Sequence, residues 1–111
     1  MGDPRYLRLL SEMAELHCKK AADYGSDQDP LANIRASEEI GIPAWKGAWL
    51  RAKDKVQRID AFCCRGILVN DSVDDSLMDL AAYSLIALVL LQEERKKVAT
   101  TPLPPIPSPS S

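Results

Sequence analysis

Aromatic side chains are scarce in this chain, with one Phe, two Trp and three Tyr in 111 residues. Few base-stacking platforms are therefore on offer, and Trp45 and Trp49, at helical spacing, read as core residues. Cysteine is scarce too. Cys18, Cys63 and Cys64 are odd in number and match no zinc or redox spacing, which excludes a disulfide framework and points to reduced thiols. An excess of positive charge is missing: the formal net charge is −2, which argues against a general nucleic-acid coat protein and makes nucleic acid an unlikely partner. Long apolar runs are missing as well. Leu85 to Leu91 falls far short of the ~20 residues that a membrane span needs. The start, MGDPRYLRLLSEM, is charged and amphipathic, unlike a signal peptide. No segment has the period of a strand, and there is no internal repeat. These absences together predict one small all-α domain, cytoplasmic and not associated with a membrane.

What is present is helical periodicity. Pro4 suits the first turn of a helix running to about Ala22, with a core stripe of Tyr6, Leu7, Leu10, Met13, Ala14, His17 and Ala21. On that stripe His17 reads as a core histidine. Gly25 ends the helix, and SDQDP follows as a turn. Leu31 to Ile40 reads as a short helix stopped by Gly41 and Pro43. Ala44 to Arg65 is a second long helix, with the stripe Trp45, Ala48, Trp49, Ala52, Val56, Ile59 and Cys63, and with Gly66 as its C-cap. The last long helix begins near NDSVDD, where Ser72 and Asp75 are spaced as a capping box and Asn70 or Asp71 is an alternative N-cap. Val73, Leu77, Leu80, Ala81, Ser84, Leu88 and Leu91 form its expected core face. A second face, Asp75, Asp79 and Tyr83, runs on into Ile86, Val89 and Leu90. An apolar second face predicts burial on both sides, at the centre of a bundle or a homo-oligomer. Residues 100–111, Pro- and Ser-rich, are expected to be an extended tail outside a helical domain of residues 1–99.

Charge is arranged by helix. Lys46 to Arg65 carries six basic and two acidic residues, whereas Asp71 to Asp79 carries four acidic residues and no basic one. Arg51, Lys55 and Arg58 share one face, and the short link Gly66 to Asn70 makes the two helices antiparallel, so basic and acidic edges come close. Carboxylates four apart, Asp75 and Asp79, can hold Mg²⁺ through oxygen. Arg51, Lys55 and Arg58 can bind phosphate oxygens. Together they describe a nucleotide-phosphate site suited to metal-assisted attack of water on a phosphoanhydride. Structure alone explains much of the same pattern. Asp71, Asp74 and Asp75 lie in a first turn, where the helix dipole favours acids. Asp79 lies deeper, and a salt bridge to Arg51, Lys55 or Arg58 explains it as well as a metal does.

Several strings occur in order: Lys20-Ala-Ala-Asp23-Tyr24-Gly25, Asn33-Ile34, Arg51-x-x-x-Lys55-x-x-Arg58, and Asp71-Ser72-x-x-Asp75-Ser76-x-x-Asp79-Leu80-x-x-Tyr83. In these the chain resembles the phage and bacterial "nucleotide modification associated domain 1" family, which is similar to the all-α MazG-like nucleoside triphosphate pyrophosphohydrolases. The resemblance spans roughly Lys20 to Leu91. It implies a helical protein of nucleotide metabolism that hydrolyses (d)NTP to (d)NMP and pyrophosphate with Mg²⁺. It also implies that Lys20, Asp23 and Tyr24 complete the pocket. The pattern departs from the pyrophosphohydrolases in its acids: Ser76 stands where a ligand Glu is usual, and the first helix offers only Glu12 and Glu15. The alternative is a non-catalytic helical interaction or accessory protein in which the Asp–Arg/Lys network is structural.

Overall fold

The computed structural model describes residues 1–24, 29–66 and 72–100, and among these every regular element is helical. The helices are α1 (Pro4–Tyr24), α2 (Ala32–Arg35), α3 (Ala44–Arg65) and α4 (Val73–Thr100), with a 3-10 segment, Ala36–Ile40, continuing α2. Three long helices and one short helical segment therefore form an all-α bundle. None of the helices described is long and apolar enough to cross a membrane. Of the expected tail, residue 100 is the last of α4, and residues 101–111 lie outside the described residues.

Local signals place the helix ends. Asp3 accepts from the backbone N–H of Arg5 at 2.7 Å, satisfying a donor at the start of α1. The Ser72 hydroxyl accepts from the N–H of Asp75 at 3.0 Å, so Ser72 caps α4 as its spacing to Asp75 predicts. Gly66 closes α3 at φ 79°, in the left-handed region, with its N–H on the Phe62 carbonyl. Leu31–Ile40 does not form one α-helix: it tightens to 3-10 geometry before Gly41, itself at φ 80°. Gly47 is required for packing, since a Cβ there would lie 2.6 Å from the Ser37 hydroxyl and 2.9 Å from the Ser37 Cβ. The Ser37 hydroxyl is itself held on the Ile42 carbonyl at 3.1 Å, so the Ala36–Ile40 segment has little room to retreat from α3.

The main packing is α3 against α4. Small residues make it close: Ala48 and Ala52 of α3 are 0 % exposed, and Ser76 of α4 is 2 % exposed. Ile34, Ala48, Ala87 and Leu90 form one core cluster, with Trp45, Tyr83 and Ile86 packed around it. The core face of α4 is thus centred on Ser76, Tyr83, Ala87 and Leu90. This corrects the expected face: Leu77, Ala81, Ser84 and Leu88 are exposed, while Val73, Leu80 and Leu91 sit at the rim. Both faces of α4 are apolar, so periodicity could not rank them; the small side chains Ser76 and Ala87 decide, because they let α3 approach.

α1 departs further from expectation. Of its stripe only Met13 and Ala21 are half-buried, while Tyr6, Leu7, Leu10, Ala14 and His17 are exposed. The helix touches α4 lightly, towards its C-terminal end. Trp49 and Cys63 of α3 are also exposed, and Trp45 is half-buried. Among the described residues the core is thin, with three alanines among its five buried apolar side chains.

At the other end of the bundle Arg35 ties α2 to α4. Its guanidinium meets both Glu93 carboxylate oxygens, at 3.2 and 2.9 Å, and its Nε donates to Asp29. The Arg35 hydrogen bonds hold the Glu93 carboxyl below its ordinary range. A carboxyl depressed on folding stabilises above its unfolded pKa, and that stabilisation is lost as the pH falls through the folded value. Solvent at this rim screens the pair, which limits its worth to about 1 kcal/mol. Glu93→Gln is therefore expected to lower stability at pH 7, by a deficit that is smaller at pH 3, as measured by urea unfolding. An equal deficit at both pH values would show that the effect is steric.

Candidate functional site

Asp79 is the point where three helices meet. Its Oδ1 lies 3.3 Å from Lys20 Nζ of α1 and its Oδ2 lies 3.2 Å from Lys55 Nζ of α3. Asp79 sits in the second turn of α4, past the reach of N-terminal capping, and its side chain is 23 % exposed; that of Lys55 is 19 % exposed. The neighbouring positions Met78, Ala82, Tyr83 and Ile86 turn towards the same space. α1 supplies Met13, Leu16, His17 and Lys20, one stripe at i, i+3, i+4, i+7.

Between these helices lies a cleft of about 490 Å³, within the usual range of small-molecule sites. One side is apolar, formed by Met13, Leu16, Met78 and Ile86, and the charged side holds Lys20, Arg51, Lys55 and Asp79. Three cations against one carboxylate leave a formal excess of two positive charges among the described residues of the lining. A second depression of about 330 Å³ shares Arg51, Lys55 and Tyr83. The two hollows thus meet at the basic residues. Such a place suits an anion that carries an apolar or aromatic body.

The residues expected from sequence divide. Lys20, Arg51, Lys55 and Asp79 converge on the cleft. Arg58 lies outside it, one turn further along α3, with its Nε 3.2 Å from Asp54. Asp75 is exposed in the first turn of α4, its backbone N–H on Ser72, and does not line the cleft. Asp23 is exposed near the end of α1 and is likewise absent from the lining. Tyr24 ends α1, and its side chain, like Asp71, lies outside the described residues. Sequence reasoning missed His17, Met13 and Leu16 as lining residues. The spacing of Met13, Leu16, His17 and Lys20 is the available signal, but Met13 and His17 read as core residues and Leu16 lies off the expected core stripe.

Two features expected to be alternatives occur together. Asp79 is paired with basic residues, as a structural network requires, and a void stands beside the pair, as a binding site requires. Among the described residues no three His, Cys, Asp or Glu side chains gather as a metal group. The carboxylate in the cleft is Asp79, with both its oxygens on lysine ammonium groups. Among the described residues, that donor set does not fit a resident metal ion.

No family model, no curated protein and no solved structure matches this chain.

Proposed function

We propose that the cleft binds a nucleoside phosphate, in the manner of a MazG-like protein of cytoplasmic nucleotide metabolism. The observation that carries this reading is the convergence of Lys20, Arg51 and Lys55, from two helices, on one edge of an apolar-walled cleft. Phosphate oxygens take the place of the Asp79 carboxylate on the lysine ammonium groups, and Arg51 adds a planar donor pair. The base lies against Tyr83 and the methionine side of the cleft. In this reading Asp79 is the internal countercharge that holds Lys20 and Lys55 in place until the phosphate arrives.

Mg²⁺ enters as part of the ligand, already bound to the phosphates, since among the described residues the carboxylate lining the cleft is Asp79, and both its oxygens are on lysine ammonium groups. Hydrolysis of (d)NTP to (d)NMP and pyrophosphate is the activity that the family resemblance implies. A turnover assay across the (d)NTPs tests it. The same reading has the chain assemble as a homo-oligomer, because the core is thin and apolar faces stand open on α1 and α4.

The test is calorimetric titration of non-hydrolysable nucleotide analogues, with Mg²⁺ and with chelator, into wild type and Asp79→Asn. Binding in chelator is expected, and Asp79→Asn should tighten it about tenfold, as weakening of the competing charge-assisted contacts to Lys20 and Lys55 predicts. Binding that needs Mg²⁺ and disappears in Asp79→Asn would instead place a metal on Asp79. Failure of the folded wild type to bind any analogue would overturn the nucleotide reading. The exposed apolar faces favour the second reading in that event: a non-catalytic helical interaction module, with Asp79 a structural ion-pair member.

A further inference from the structure

α4 is covered on one side only. Ser76, Ala87 and Leu90 are buried against the rest of the bundle, while on the opposite side Leu77 is 51 %, Leu85 48 %, Leu88 45 % and Val89 52 % exposed. At about 100° per residue these four, with Ala81, form one stripe along the outer face. α1 leaves these four exposed: it meets α4 nearer the start of that helix, at Asp79, and borders the cleft with Met78 and Ala82. No charged residue interrupts α4 between Asp79 and Glu93. Charges bracket the stripe: Asp74 and Asp75 stand at the start, and beyond its finish come Glu93 and Glu94, which line a depression with Arg35 and Trp45 on the bundle side, and then Arg95 and Lys96.

We propose that this face is a homodimer interface in which two copies of α4 pack antiparallel, related by a two-fold axis at Leu85. The proposal gives a geometry to the homo-oligomer inferred above and rests on that part of it, independently of any nucleotide. The charges choose the direction. An antiparallel pair sets the acidic start of each helix beside the basic end of the other, Asp74 against the partner's Lys96. A parallel pair would set acid on acid and base on base. The helix dipoles agree with the antiparallel choice. The register follows from the middle of the stripe, since Leu85 lies midway between Asp74 and Lys96. Leu85 then meets its own copy, and Ala81 faces the partner's Val89, a small side chain opposite a larger one, which suits close packing. Such an interface is isologous and closes after two copies.

The test is sedimentation of the full chain at micromolar concentration, with cysteine cross-linking in a Cys18→Ser, Cys63→Ser, Cys64→Ser background, because all three native cysteines are exposed. Leu85→Cys at the axis brings two thiols within the roughly 7 Å Cα separation a disulfide allows. It is expected to give a covalent dimer on mild oxidation. Leu77→Cys should not, since its copy would sit sixteen residues along the pair, about 24 Å away. Leu85→Asp should sediment as a monomer that keeps the wild-type helical circular dichroism. A dimer that cross-links through Leu77→Cys as readily as through Leu85→Cys, or that survives Leu85→Asp, overturns this geometry and leaves the oligomer standing. A wild type that is monomeric throughout overturns both.

Discussion

Lys55→Met is expected to weaken nucleotide binding by between ten- and a hundredfold. Lys55 is the best-shielded cation of the cleft, its side chain 19 % exposed and its ammonium 3.2 Å from Asp79. A hydrogen bond from such a group to phosphate is worth about 1.5–3 kcal/mol, and each 1.4 kcal/mol is tenfold in affinity. Methionine keeps most of the length of the stem, so the packing of α3 against α4 survives while the charge is lost. The loss leaves Asp79 with Lys20 alone, which adds repulsion towards an incoming phosphate. Arg51, more exposed and more screened, should matter less when changed to Met. The measurement is again calorimetric titration, repeated at high salt, where the gap between the two variants should persist because solvent ions reach Lys55 poorly. Equal affinity in wild type and Lys55→Met would make Lys55 a structural partner of Asp79 and nothing more.

Ala48→Leu is expected to cost about 1–3 kcal/mol, with a fall in Tm of roughly 5–20 °C for a domain of this size. Ala48 is 0 % exposed and lies in the cluster with Ile34, Ala87 and Leu90. Its methyl group is what allows α3 and α4 to approach, and three further side-chain carbons have no space to enter. The helix itself tolerates leucine, so any loss belongs to packing. Lys53→Leu, on the exposed side of the same helix, serves as the control and should stay within about 0.5 kcal/mol. Thermal unfolding of the two variants side by side decides the matter. A change at Ala48 no larger than at Lys53 would contradict the close contact of the two helices.

Much of the helix pattern was legible along the chain. The bounds of α3 follow from Pro43 and Gly66, and the start of α4 follows from Ser72, because caps and breakers act within a few residues of themselves. Arg51, Lys55 and Asp79 were legible as candidates because charges four apart share a helix face, whereas Lys20 was a candidate only through the family resemblance. Arg58 and Asp75 satisfied the same spacing rule and yet lie outside the cleft. Spacing says which residues share a face and does not say how far along its neighbour a helix is shifted. α1 shows the other limit. Its apolar stripe is regular, but regularity cannot tell whether the same chain covers a stripe, and here most of it stays open.

The sequence by itself determined that this protein is all-helical and where α3 and α4 begin. It also determined that basic and acidic edges would meet across those two helices. These follow from local backbone preferences and from periodicity, each of which acts over one or two turns. Only the tertiary structure decided which of two apolar faces of α4 is buried. It alone made His17 a lining residue instead of a core one, and brought Lys20 across the fold to share Asp79 with Lys55. Those outcomes depend on the fit of small side chains, Ala48, Ala52, Ser76 and Ala87, between helices distant in the chain. Fit between surfaces is a property of the assembled pair, which neither helix carries alone.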